Sequence, residues 1–110
     1  MINTNNNTMI NTNNNTMINT NNNTTTYYIV VAFNKGCAYI LQYKGVISNI
    51  FYNNHIKTFK TKQTAIKNAH KICNKYKLSS VKVYQINENE YISSSQFKEN
   101  DNKHIYQFIP

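Results

Sequence analysis

The sequence has 110 residues with twelve lysines, no arginine, four acidic residues and a formal net charge of +8. This length allows one small domain, and there is neither an apolar run of about 18 residues for a membrane span nor a secretory leader. We therefore expect a protein that is cytoplasmic in a host cell or nuclear, and not secreted.

The first segment is repetitive. Residues 1–24 are three identical copies of Met-Ile-Asn-Thr-Asn-Asn-Asn-Thr. A period of eight is much shorter than a solenoid repeat, and the segment is polar, uncharged and poor in residues that form a core. We predict that residues 1–26 are a disordered Asn/Thr-rich tail and that residues 27–110 form a single domain.

Three strands are predicted before any helix, over residues 27–33, 38–44 and 46–52. The first is rich in β-branched and aromatic residues and is apolar on both faces, which is typical of a central strand. Gly36 indicates the turn to the second strand, and Lys44-Gly45 predicts a tight two-residue turn to the third.

An amphipathic helix of about four turns is predicted within residues 58–78. Thr61 is the expected N-cap, since its hydroxyl can accept a hydrogen bond from a first-turn amide. One stripe of the helix is apolar and the opposite side is basic. The apolar stripe contains Ala65, Ile66, Ala69, Ile72, Cys73 and Tyr76, and the basic side contains Lys67, Lys71 and Lys75.

After the helix, residues 81–86 predict a fourth strand and residues 90–93 a short fifth strand. Residues 94–103 have the polar composition of a loop, and residues 104–110 are either an edge strand or a tail that docks on a neighbour. The order β-β-β-α-β-β favours an α+β fold in which one amphipathic helix packs on a small, mainly antiparallel sheet.

The types of residue that commonly carry out catalysis or bind metals form no recognisable motif in this sequence. Cys37 and Cys73 are expected to be two free thiols. His70 and Cys73 lie one helical turn apart, but a metal site needs two further ligands. The two glycines are too few for a phosphate-binding glycine loop. We therefore expect a protein that is not an enzyme and has no metal or cofactor.

The charged residues are segregated along the chain. Ten lysines and no acid occur from Lys35 to Lys82, and all four acids lie between Glu88 and Asp101. Such a balance predicts a positive field that attracts an anionic partner. The alternative is a solvated basic surface produced by A/T-rich coding, which also enriches Asn, Ile and Tyr.

Lysines interleaved with aromatic residues suggest contact with nucleic acid, because lysines neutralise phosphates and exposed tyrosines stack on bases. The candidates are Lys35, Lys44, Lys57, Lys60 and Lys62 for phosphates and Tyr39, Tyr43 and Tyr52 for bases. Alternatively, the tyrosines form the core and the helical lysines are simply a solvated surface. If the outer face of the sheet is the binding surface, the helical lysines are expected to point away from the ligand.

The sequence over residues 27–78 resembles two families of DNA-binding domain. The resemblance is carried by Tyr28-x-Val30 on the first strand, by the three-stranded meander, and by Thr58-Phe59-Lys60-Thr61-Lys62-Gln63-x-Ala65 with Ala69 on the helix. The two families are the arm-type domain of phage-type tyrosine recombinases and the plant ethylene-response-factor domain. In both, one helix packs on three antiparallel strands, and the sheet lies in the major groove. Both read bases largely with Arg and Trp, which this sequence lacks, so the resemblance implies weakly specific and salt-sensitive binding to the DNA backbone.

Two functions are consistent with these patterns. The first is a small basic nucleic-acid-binding protein of a virus, phage or mobile element, with DNA favoured over RNA as the partner. The alternative is a protein-interaction module, either a virus- or phage-encoded inhibitor of an acidic host protein or an accessory protein that forms homodimers through an edge strand. Exposed tyrosines on a lysine-bearing surface would favour the first, and an open apolar edge at residues 105–109 the second.

Overall fold

The structure, a computed structural model, describes residues 25–110. The predicted disordered tail falls almost entirely on residues 1–24 and so lies outside the described residues. The described part contains one α-helix and five strands: β1 Thr26–Asn34, β2 Cys37–Leu41, β3 Ile47–Ser48, α1 Lys62–Tyr76, β4 Ser80–Asn87 and β5 Tyr106–Phe108. Short 3-10 turns occur at Asn53–His55 and Ser94–Gln96.

The five strands form one antiparallel sheet in the order β3-β2-β1-β4-β5. The predicted α+β class, with one helix on a small antiparallel sheet, is confirmed. β1 is the central strand, as its sequence predicted, and it pairs with β2 on one side and β4 on the other. Its residues 29–33 are fully buried because both faces of the sheet are covered.

The predicted helix is also confirmed. The backbone N–H of Thr64 donates a 3.3 Å hydrogen bond to the hydroxyl oxygen of Thr61, the N-cap. The helix ends at Tyr76, and its C-cap Lys77 has a left-handed conformation with φ of 54°. Four residues of the predicted apolar stripe are fully buried against the first face of the sheet: Ala65, Ala69, Ile72 and Cys73.

No helix covers the second face of the sheet within residues 25–110. Its apolar side chains are Ile29, Val31, Phe33, Ile40, Tyr84 and Ile86. Ile56 and Phe51, from the loop before α1, pack on these side chains. Ile92 and Phe97 pack there as well, and they belong to residues 88–103, which we call the covering segment. The ring centroids of Tyr84 and Phe97 are 4.7 Å apart.

A buried lysine anchors the covering segment to the sheet. Lys82, in the middle of β4, has no exposed surface. Its Nζ donates hydrogen bonds to the backbone oxygens of Asp101, at 2.7 Å, and Lys98, at 3.3 Å, and lies 3.5 Å from Oδ1 of Asp101. A buried ammonium requires such partners, because an unpaired charge in the interior is strongly unfavourable.

The prediction around β3 was partly wrong. The third strand, expected over residues 46–52, is only Ile47–Ser48. The Ser48 hydroxyl accepts the backbone N–H of Ile50 at 3.1 Å, a local bond that competes with the strand ladder. The preceding turn has three residues instead of two, since the backbone N–H of Gln42 donates to the carbonyl oxygen of Val46 at 2.9 Å. Gly45 closes this turn with φ of 82°.

The short strand predicted over residues 90–93 does not form. Ile92 is instead buried in the second face as part of the covering segment, so its environment is set by packing rather than by a ladder. Residues 104–110 were predicted to be an edge strand or a docking tail. The structure shows the edge strand, with β5 paired to β4 through Val83 and Tyr106.

Candidate nucleic-acid interface

Four lysine side chains surround one groove between the β2–β3 turn and α1, which we call the basic groove. It has a volume of about 260 Å³. Its polar lining comes from Gln42, Tyr43, Lys44, Lys57, Asn68, Lys71 and Lys75. The groove thus combines residues that are up to 34 positions apart in the sequence, from Leu41 to Lys75.

One wall of the basic groove is formed by α1, and the helical period determines which residues it contains. Asn68, Lys71 and Lys75 are three and four residues apart, so they lie along one side of the helix. Ile72, between them, is buried and holds this side of the helix against the sheet. Lys71 and Lys75 are consequently next to the core on this side of the helix, and both are exposed.

The other wall is built by backbone hydrogen bonds. The backbone N–H of Tyr43 donates to the carbonyl oxygen of His55 at 3.0 Å, and that of Lys57 donates to Leu41 at 2.9 Å. These bonds tie the segment before α1 to the end of β2. They place Lys57, which is half-buried, directly beside the turn that carries Lys44.

Among the described residues that line the basic groove there is no Asp or Glu. All four acids of the sequence lie in the covering segment, on the opposite side of the sheet, and Asp101 is paired with Lys82. Four like charges at one groove repel each other, and Lys71 and Lys75 are at the unfavourable i, i+4 spacing. A bound anion would relieve this repulsion, so the groove has the electrostatics of an anion-binding site.

Tyr43 lies between the basic groove and a second groove, the aromatic groove, which has a volume of about 330 Å³. The aromatic groove is lined by Gln42, Tyr43, Lys44, Asn54 and His55. Tyr43 is 58% exposed, and Lys57 Nζ lies 5.7 Å from its ring centroid. Tyr52 is 57% exposed, and its ring meets the His55 ring edge to face, with the two ring centroids 5.6 Å apart.

The structure brings only some of the predicted site residues together. Lys44, Lys57 and Tyr43 line the basic groove, and Tyr52 lies next to the aromatic groove through His55. Tyr39 is half-buried against the core under α1.

The remaining predicted lysines lie elsewhere. Lys60 and Lys62 are exposed near the start of α1 but do not line the groove. Lys35 is in the β1–β2 turn, at the opposite end of β1 from Tyr28, which pairs with Phe59 just before the helix. Lys35 follows Tyr28 by seven positions, which correspond to about 23 Å of extended strand.

The lysines of α1 were expected to point away from a ligand only if that ligand bound the outer face of the sheet. Lys71 and Lys75 are exposed, in agreement with their predicted place on the basic side of the helix, and they line the same groove as Lys44 and Lys57. The signal that could have identified them is their position next to the buried Ile72, together with Asn68 on the same side. Lys67, in contrast, is exposed and does not line the groove.

The reactive side chains outside the two grooves include the two cysteines and His70. Cys37 and Cys73 are free thiols, as predicted, and burial raises the pKa of the Cys73 thiol. The His70 ring nitrogen Nε2 lies 2.6 Å from the Tyr106 hydroxyl, which joins α1 to β5. Residues 25–110 contain no group of three or more His, Cys, Asp or Glu side chains arranged to hold a metal.

Comparison with protein-family models, with curated proteins and with solved structures gave no match to this sequence. In the part of the protein that the structure describes, no helix has both the length and the apolar character needed to cross a bilayer.

Proposed function

We propose that this protein is a non-enzymatic nucleic-acid-binding protein that contacts the phosphate backbone and has weak sequence specificity. The observation that supports the proposal is the convergence of Lys44, Lys57, Lys71 and Lys75 on one groove without a neutralising acid. Lysines neutralise phosphates and release condensed counterions, which gives affinity without reading sequence. The absence of arginine removes the bidentate contact to guanine that most often provides specificity.

The proposed contact surface differs from that of the two families that the sequence resembles. Those families lay the open face of the sheet on DNA. In this protein the face opposite α1 is buried beneath the covering segment, and Val31, Phe33 and Ile40 have no exposed surface. We therefore assign the contact to the basic groove at the edge of the helix, where the lysines and an exposed tyrosine are already accessible.

A salt titration tests the proposal. Binding of the full protein to fluorescent DNA duplexes, single strands and RNA would be measured by anisotropy from about 50 mM to 300 mM salt. With four lysines in contact, the slope of log affinity against log salt should be about −3. Undetectable binding at the lowest salt concentration would contradict the proposal.

Two single substitutions on α1 provide a matched comparison. Lys71→Gln removes a charge from the basic groove and should reduce the magnitude of the salt slope by about 0.8. Lys67→Gln removes the same charge from an exposed position outside the groove and should change the slope much less. Equal effects of both variants would indicate diffuse attraction to the whole surface instead of a site at the groove.

The second candidate function, a protein-interaction module, is supported by β5. This strand is at the edge of the sheet, and Ile109 beside it is 64% exposed. An exposed apolar strand edge is a template for pairing with another chain. Sedimentation over a range of protein concentrations would reveal self-association, and Ile109→Lys should abolish it if β5 forms the contact.

A further inference from the structure

We propose, building on the proposed function, that the two adjoining grooves bind single-stranded nucleic acid, with a phosphate in the basic groove and an unpaired base against Tyr43 in the aromatic groove. The shared chemistry is a phosphodiester linked to an unstacked base, which single-stranded DNA and single-stranded RNA both present. Duplex DNA presents the phosphates but not the faces of its bases.

The arrangement of the two grooves is the first argument. Gln42, Tyr43 and Lys44 line both of them, so the grooves share one wall. One side of this wall carries three further lysines, and the other carries His55 and Asn54. A charged compartment next to an aromatic and amide compartment corresponds to the two halves of a nucleotide.

The exposure of the aromatic rings is the second argument. Tyr43 and Tyr52 are both more than half exposed, although burial of a tyrosine ring is strongly favourable. The Tyr43 hydroxyl lies 3.5 Å from the Thr58 hydroxyl, and Lys57 Nζ lies 5.7 Å from the centroid of the Tyr43 ring. An exposed ring next to lysines is the arrangement with which single-strand-binding proteins stack bases.

The dimensions of the grooves are the third argument. The aromatic groove has the volume of about eleven water molecules in the liquid, which is enough for one flat heteroaromatic ring. A tyrosine stacks only on a base that has left its helical stack. The Asn54 side chain is exposed in this groove and provides amide donors and an acceptor for the edge of such a base.

The test compares four ligands of equal length with the full protein at a fixed salt concentration: oligo-dT, oligo-U, an abasic DNA strand and a DNA duplex. Oligo-dT or oligo-U should bind at least about five times more tightly than the abasic strand, because stacking on one tyrosine changes affinity about 5- to 150-fold. The oligo-dT and oligo-U arms show whether single-stranded DNA or single-stranded RNA is preferred.

Substitution of Tyr43 separates stacking from charge. Tyr43→Ala should weaken oligo-dT binding about 5- to 150-fold and leave binding of the abasic strand unchanged. Tyr43→Phe should retain wild-type affinity, since the ring remains. Tyr91→Ala is the control, because Tyr91 is 74% exposed and lines neither groove. Circular dichroism of each variant checks that it is folded.

Two results would overturn this inference. If the duplex binds as tightly as oligo-dT and Tyr43→Ala has no effect, the single-strand site is wrong while nucleic-acid binding through the lysines stands. If none of the four ligands binds, the proposed function fails together with the inference.

Discussion

The hydroxyl group of Tyr84 donates a 3.1 Å hydrogen bond to Oδ1 of Asp101. The same carboxylate accepts the backbone N–H groups of Lys98, at 3.0 Å, and Lys103, at 3.4 Å, and lies beside the buried ammonium of Lys82. Asp101 thus bonds to two residues of β4 and to both ends of its own loop. This one side chain fastens the covering segment to the sheet.

Asp101→Ala should destabilise the protein by about 3 kcal/mol, because it removes the counter-charge of a fully buried lysine. Urea unfolding followed by circular dichroism would measure the change. Glu88→Ala removes an exposed acid from the same segment and should change stability by less than about 0.5 kcal/mol. Similar losses in both variants would argue against a special role for Asp101.

The acid side of the stability profile should depend on Asp101. Burial raises the pKa of this carboxyl, but the backbone of Lys98, the Tyr84 hydroxyl, the backbone of Lys103 and the charge of Lys82 together outweigh burial, so the pKa is lowered. A carboxyl whose pKa is lower in the folded state stabilises above its ordinary value of about 4. That stability is lost as the pH falls below this value. In Asp101→Asn the stability should depend less on pH in this range, as measured by acid unfolding.

The stability of the protein at alkaline pH should depend on Tyr84. Burial, and then the charge and hydrogen bond of Asp101, raise the pKa of its hydroxyl above the ordinary value of about 10. A group with a raised folded pKa contributes its full stability below its unfolded pKa and loses it as the pH rises further. Stability should therefore fall above about pH 10. Urea unfolding at pH 7 and at pH 11 should show a smaller loss of stability for Tyr84→Phe than for the unsubstituted protein.

The helix cap gives a local test of the fold. Thr61→Ala should destabilise the protein by about 1 kcal/mol, because the backbone N–H of Thr64 loses its acceptor. Gln63→Ala, at an exposed position in the same first turn, should be neutral or slightly stabilising. A neutral Thr61→Ala in thermal and urea unfolding would show that solvent satisfies the first turn equally well.

Lys35→Asn should stabilise the protein by up to about 1 kcal/mol, because Asn tolerates the left-handed conformation better than Lys. Lys35 has φ of 53° and Gly36 has φ of 81°, the two positive values of a two-residue hairpin turn. Since Lys35 is remote from the basic groove, nucleic-acid affinity at fixed salt should change little. A loss of affinity as large as that of Lys71→Gln would place Lys35 in the binding surface.

The elements set by local sequence were predictable. The apolar period of α1 and its Thr61 cap are contained within fifteen or so consecutive residues, and the two apolar faces of β1 indicate a central strand. These features depend on propensity, period and capping, which a single sequence displays.

The elements set by distant contacts were not predictable. The covering segment has the composition of a polar loop, and Asp101 acquires its role only through Lys82, nineteen positions earlier on β4. Lys82 itself occupies a position that the alternation of β4 would assign to solvent. The basic groove depends in the same way on how α1 lies against the β2–β3 turn, so sequence identified Lys44 and Lys57 but not their helical partners.

The position of the four acids also has a consequence for the proposed binding of a polyanion. They all lie in the covering segment on one side of the sheet, while the basic groove is on the other side. The molecule therefore has a permanent electric dipole moment in addition to its net charge. Under the proposed function, a polyanion would be attracted to the basic side, and the dipole would favour rotation of the protein into the binding orientation before contact. Such preorientation raises the association rate at low ionic strength, and screening by salt reduces it.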